Sequence, residues 1–133
     1  MFAGVVDTHA LIWYLYGDAR LSQTAAQFMN AASVAGKQLA VPTISLAEMV
    51  YLIEKGRIAA ESLSIAAAAL EAPQNALTEV PLKIGIVRAM TATDAAQIPD
   101  MPDRIIAATA VYLGVPVVSR DGKIRLSSIQ TIW

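Results

Sequence analysis

Apolar and polar positions along this chain fall into short blocks that alternate in character. Ala3–Asp7 is a continuous apolar run closed by an acid, the pattern of a buried strand. Leu39–Pro42, Leu77–Val80, Val115–Ser119 and Ile129–Trp133 are further short strand candidates, and Pro116 falls near the start of its run, where a strand tolerates it. Helical stretches lie between these runs. Ala10–Tyr16 stops at Gly17-Asp18, and a helix capped by Ser22 runs through Ala35 to Gly36. Ser45 opens a helix to Lys55 with Gly56 as its stop, and alanine-rich Ala59–Ala72 is helical by propensity. A further helix is expected from Leu82 to about Ala96. After the turn Pro99-Asp100-Met101-Pro102, another runs from Pro102 to Leu113.

Strands that alternate with helices imply parallel pairing, so the expected fold is a three-layer α/β/α sandwich around a mostly parallel sheet of about five strands. No linker, repeat or charge run divides the chain, and residues 1–133 are expected to form one domain. Apolar residues make up 56% of the chain and charged residues 16%, with a mean hydropathy of +0.50. The longest charge-free apolar stretch, Ile105–Ser119, is broken by Gly114 and Pro116 and falls short of the roughly 17–25 residues a spanning helix needs. The N-terminus lacks the basic region of a signal peptide. These features predict a cytoplasmic protein with more apolar surface than one small core buries, hence a homo-oligomer. With no cysteine in the chain, disulfides, thiolate zinc sites and cysteine nucleophiles are excluded.

In an open parallel sheet, chemistry gathers outside the carboxyl ends of the strands. Asp7 ends the first strand, and Glu48 lies early in the helix after the second. Asp103, with Asp100 before it, lies at the start of the helix leading to the fourth strand, and Asp121 follows that strand. Each acid has a structural explanation. Asp7, Asp100 and Asp103 suit helix N-termini, Ser45-Leu46-Ala47-Glu48 matches a capping box, and Asp121-Gly122 is a turn dipeptide. Their joint placement at one sheet edge calls for more. Two carboxylates about 4 Å apart repel by roughly 4 kcal/mol at an effective dielectric of about 20. Such a cluster persists by sharing protons or by binding a cation. An all-oxygen donor set selects a hard ion, Mg²⁺ or Mn²⁺, and the lone His9 cannot build a zinc site.

Four blocks of this sequence resemble one family. Val5-Val6-Asp7-Thr8-His9-Ala10-Leu11-Ile12-Trp13 is similar to the opening signature of PIN-domain ribonucleases of the VapC toxin type. The resemblance continues through Ser45-Leu46-Ala47-Glu48-Met49, Asp103-Arg104-Ile105-Ile106-Ala107-Ala108-Thr109-Ala110 and Val118-Ser119-Arg120-Asp121, and closes with Ile132-Trp133. It implies a PIN-like α/β/α fold with Asp7, Glu48, Asp103 and Asp121 as catalytic acids. Of these, Asp7, Asp103 and Asp121 are the expected metal ligands. It also implies RNA cleavage with Mg²⁺ or Mn²⁺, products with 5′-phosphate and 3′-hydroxyl ends, a homodimer, and a cognate antitoxin whose C-terminal segment lies across the active-site groove. The family's usual Asp-Pro-x-Asp-Arg reads Asp100-Met101-Pro102-Asp103-Arg104 here, which makes Asp100 an accessory acid behind Asp103. Ser119 stands where threonine is commoner.

Thr8, Ser119 and Arg104 are the expected substrate contacts. His9 is a weaker base, and Arg120 is by default a solvated arginine, with RNA phosphate or a neighbouring carboxylate as its alternative partner; Trp13, Tyr14 and Tyr16 could stack on bases, but their apolar helix favours core or dimer packing. Two rival readings exist: a PIN-like interaction module without catalysis, and a phosphorylation receiver. The receiver wants paired acids after the first strand, where Val5 and Val6 stand, and a lysine where Arg120 stands. The net charge of −1 at first sight disfavours nucleic acid, but setting aside the four acids leaves ten basic against seven acidic residues, or +3. That balance is an acidic pocket in a mildly basic rim, which predicts modest RNA affinity that depends on the ion.

Overall fold

Successive side chains of a strand point to opposite faces of its sheet, and this chain fills both faces with aliphatics. In the computed structural model, which describes residues 1–133, the five strands are β1 (Phe2–Val6), β2 (Gln38–Pro42), β3 (Leu77–Val80), β4 (Val117–Val118) and β5 (Thr131–Ile132). They form one sheet in the order β3-β2-β1-β4-β5, and every pairing is parallel. Val6, Leu39, Val41 and Val118 pack on one face beneath α1 (Thr8–Tyr16), α2 (Gln23–Val34), α3 (Thr43–Glu54) and α4 (Ser62–Glu71). Val5, Ala40 and Val117 pack on the other beneath α5 (Ile84–Ala89), α6 (Met101–Leu113) and α7 (Gly122–Arg125). The expected three-layer α/β/α sandwich is therefore observed. No helix is long and apolar enough to cross a membrane.

Strand β4 is two residues long, yet Val117 and Val118 are both fully buried. Burying such a side chain contributes roughly 1.5–3 kcal/mol, against about 1 kcal/mol net for a ladder hydrogen bond, so packing holds this strand more than pairing does. It starts later than the expected Val115. Val115 N–H caps α6 through the Ala110 carbonyl, and Pro116 has no N–H to pair. Gly4 permits the tight passage of β1, since a Cβ there would meet the Phe28 ring at 3.0 Å and the Pro116 carbonyl at 3.2 Å.

Several helical boundaries differ from the sequence reading, and the larger differences have identifiable causes. The expected helix Leu82–Ala96 is only Ile84–Ala89 followed by a 3₁₀ turn, Met90–Ala92. The Met90 carbonyl, which a continuing helix would offer to Asp94, instead accepts from Thr93 Oγ1 at 2.7 Å and Arg104 Nη2 at 3.0 Å. Helix α4 begins at Ser62 rather than Ala59, because Ser62 N–H closes a turn on the Ala59 carbonyl. The Asp121-Gly122 turn opens a short helix, α7, anchored by fully buried Ile124. Finally, α3 starts at Thr43 directly after β2, so Ser45 is inside the helix and no capping box forms. Its Oγ is buried without a hydrogen-bond partner. Strand β5 is also shorter than Ile129–Trp133.

Candidate active-site cleft

The strand order reverses direction between β1 and β4, and the crevice beyond that point is where an open α/β sheet presents a site. A cleft of about 350 Å³ lies there, lined by Asp7, Thr8, His9, Trp13, Glu48, Asp100, Asp103, Arg120 and Asp121. All five acids singled out from the sequence are in it.

Asp7 joins the end of β1 to the start of α1. Its Oδ1 accepts from Ala10 N–H at 2.8 Å, capping α1, and its own N–H donates to the Val118 carbonyl at 3.1 Å. One residue thus ties the central strand pair to the helix above while its carboxylate borders the cleft. Only 8% of Asp7 is exposed, and this burial raises its pKa, opposed by hydrogen bonds from the Ser119 side chain and the Ala10 backbone. Glu48, in the second turn of α3, accepts from Thr8 Oγ1 at 2.5 Å, a contact that links α3 to α1.

Asp103 sits in the first turn of α6, whose N-cap is Asp100. Asp100 Oδ2 accepts from Asp103 N–H at 3.2 Å. Asp103 has its pKa raised to about 7, first by burial and then by the charges of Asp121, Asp100, Glu48 and Asp7. Asp121 follows β4 and caps α7, accepting from Lys123 N–H at 2.9 Å and Ile124 N–H at 3.1 Å. The acids are therefore within electrostatic reach of one another. As they stand, no three of them converge closely enough to ligate one ion together.

The comparisons with known proteins agree with the fold. The family model described as PIN domain matches residues 4–127. Ribonuclease VapC22 of Mycobacterium tuberculosis (strain ATCC 25618 / H37Rv) is 32% identical over 125 residues, covering 91% of this chain and 88% of that protein. The chain belongs to the PIN-domain family, in its VapC branch. Two solved structures share the fold. VapBC2 from Rickettsia felis, bound to a DNA fragment from their promoter, aligns at TM-score 0.68 and 14% identity over 98% of this chain and 97% of that one. A toxin–antitoxin complex from Klebsiella pneumoniae aligns at TM-score 0.57 and 19% identity over 92% and 90%.

Of the further residues singled out in this PIN domain, Thr8 and His9 line the cleft, and Ser119 lies behind it. The fully buried Ser119 accepts from Asp121 N–H at 3.0 Å, so it contacts the acids rather than the open space. Arg104 is not brought to the cleft. Its guanidinium bonds the Met90 carbonyl and Thr93 Oγ1, because the broken helix after α5 leaves those acceptors facing it. Arg120, read from the sequence as a solvated arginine, does line the cleft and lies against Trp13 with its guanidinium carbon 4.6 Å from the ring centroid. The signal for it was its place beside Asp121, at the mouth of a strand end.

Tyr14 and Tyr16 are outside the cleft. Their hydroxyls bond Asn30 and Ser62, which makes them packing side chains of the α1 face.

Proposed function

We propose that this PIN domain, spanning residues 1–133, is a divalent-cation-dependent endoribonuclease that acts as the toxin of a toxin–antitoxin pair. The observation that carries this reading is that Asp7, Glu48, Asp103 and Asp121, from four separate chain segments, all line one cleft at the switch point of the sheet. Kinship with a ribonuclease and the shared fold of two toxin–antitoxin structures support the same reading.

The donor chemistry suits Mg²⁺ or Mn²⁺: five carboxylates, no thiolate and one imidazole line the cleft. Asp7, Asp103 and Asp121 would hold the ion once their carboxylates draw together on it, with Asp100 as an accessory acid. When bound, the cation supplies an acidified water and a counter-charge for the phosphate.

The protein's own residues supply the rest. Asp7 is fixed by its cap bond and by the end of a central strand, so its carboxylate adds little reorganisation to the reaction. Asp103 keeps its proton up to about pH 7 while the surrounding acids are uncompensated, and releases it when their charge is offset. Glu48, oriented by Thr8, would ligate the ion or orient the attacking water. Hydrolysis of the phosphodiester then leaves 5′-phosphate and 3′-hydroxyl ends.

The homodimer reading draws support from exposed apolar side chains on three helices, Val50 and Tyr51 of α3, Ile84 and Val87 of α5, and Val111 and Tyr112 of α6. A cognate antitoxin is the expected partner that silences the cleft. Mapping RNA ends after brief induction tests the reading. New ends with wild type and none with Asp7→Ala are expected, and wild-type induction without new ends would overturn it.

A further inference from the structure

Arg120 is the only arginine or lysine lining a cleft with five carboxylates, yet it pairs with none of them. The single ion pair of this chain joins Arg20 to Asp18, and no hydrogen bond engages the Arg120 guanidinium. An exposed arginine beside that much negative charge would ordinarily collapse onto a carboxylate. Here it is held against an aromatic ring instead.

That ring is Trp13, and it is built in. The Arg120 guanidinium carbon lies 4.6 Å from the Trp13 centroid and that of Arg20 lies 5.3 Å away. Arg20 is itself fixed by a two-pronged bond to Asp18, with Nε to Oδ1 at 3.1 Å and Nη2 to Oδ2 at 2.7 Å. His9 and Trp133 flank the same indole, with centroids at 5.6 and 5.8 Å. Trp13 is only 5% exposed, so it has no open face for a nucleobase, and of its two sequence readings packing, the favoured one, is what the fold shows. Its surroundings make it a platform for Arg120, which keeps its N–H donors free at the mouth of the acidic cleft.

Resting on the ribonuclease reading above, we propose that Arg120 is the phosphate-binding side chain of this site, gripping a phosphodiester of the RNA beside the one cleaved. Trp13 is its positioning residue, steadied by Arg20 and Asp18. The charge logic is direct. A polyanion entering among five carboxylates needs a fixed cation at the rim, and a planar guanidinium meets phosphate oxygens through paired hydrogen bonds.

The test compares wild type, Arg120→Ala, Arg120→Lys and Trp13→Phe on a single-stranded RNA oligonucleotide, with Mn²⁺ binding measured separately. Arg120→Ala is expected to raise KM about tenfold to a hundredfold with a smaller change in kcat. It should also lower the salt slope of RNA binding by about 0.7, the loss of one phosphate contact on a single strand. Arg120→Lys should restore the salt slope but only part of the KM, since the ammonium neither stacks nor bonds in parallel. Trp13→Phe, which keeps a ring, should fall between wild type and Arg120→Ala in KM. Mn²⁺ should bind no more weakly to Arg120→Ala, because the variant removes a positive charge near the acids.

Wild-type KM and salt slope in Arg120→Ala, with wild type cleaving normally, would overturn the proposal alone. So would a loss confined to kcat, or weakened Mn²⁺ binding, which marks a structural prop. A wild-type protein that neither binds nor cleaves RNA would overturn the ribonuclease reading together with it.

Discussion

Thr8 Oγ1 donates to Glu48 Oε1 at 2.5 Å, joining the first turn of α1 to the second turn of α3 across the cleft. The bond leaves Glu48 one preferred orientation over the site, which a glutamate's several rotors would otherwise blur. Thr8→Val keeps the shape of this buried side chain and removes the donor. It should lower the RNA cleavage rate by about tenfold, in line with losing one charge-assisted hydrogen bond, while Thr8→Ser stays near wild type. An undiminished rate in Thr8→Val would contradict the orienting role.

Asp121 does two jobs that substitution separates. Its Oδ1 caps α7, and its charge adds to the cation-binding cleft. Asp121→Asn retains a side-chain acceptor, so thermal stability should hold while Mn²⁺ affinity and cleavage fall. Asp121→Ala should show the same catalytic loss and an additional destabilisation of about 1 kcal/mol. Equal melting temperatures for the two variants would count against the cap.

Asp103 makes stability depend on pH in a direction opposite to that of a salt-bridged carboxylate. Its pKa rises from 3.8 in an ordinary setting to about 7 in the fold, by burial first and neighbouring acids next. Between those values the unfolded chain has released the proton and the folded chain retains it. The cation-free protein therefore loses stability as pH climbs from about 4 to about 7 and levels off above. Asp7, also raised by burial, contributes with the same sign, whereas Asp18, lowered to about 2 by Arg20, acts only below this window. Melting temperatures in chelator at pH 5 and pH 7.5 should differ less in Asp103→Asn than in wild type. The same proton makes Mg²⁺ binding weaken as pH falls below about 7, with proton release on binding. A cation affinity that is flat across the window would contradict the assignment.

Ser45, one turn before Glu48 on α3 and outside the cleft lining, offers a test of stability. Its hydroxyl is fully buried without a partner, and leaving such a group unsatisfied costs about 1–3 kcal/mol. Ser45→Ala should raise stability by about 1 kcal/mol, measured by urea unfolding, with cleavage unchanged. A loss of stability would mean that this hydroxyl has a partner after all.

The sheet and the acids were legible because each depends on local signals. Val5-Val6-Asp7 shows a buried strand and its polar end without reference to anything distant, and parallel topology then brings Glu48 and Asp121 to the same edge. What sequence pattern misjudged depended on partners far along the chain. The helix after Leu82 stops because Arg104, on another helix, takes the Met90 carbonyl, and that same contact removes Arg104 from the cleft. Arg120 had solvation as its default reading and phosphate or carboxylate contact as the alternative, and nothing near it in sequence reveals Trp13 as its stacking surface. Ser45-Leu46-Ala47-Glu48 spelled a capping box, but β2 runs into α3 without a break, and Glu48 found Thr8 instead.

The central claim is that these acids hold a divalent cation on which RNA hydrolysis depends. The most direct measurement is the cleavage rate of chelator-treated protein on RNA as Mn²⁺ is added back, for wild type and Asp7→Asn side by side. Wild type should be inactive without the ion and recover along a saturating curve, while Asp7→Asn, which retains an acceptor to cap α1, should stay folded and inactive at the same concentrations. Cleavage by wild type in chelator, or recovery of Asp7→Asn along the wild-type curve, would contradict the account.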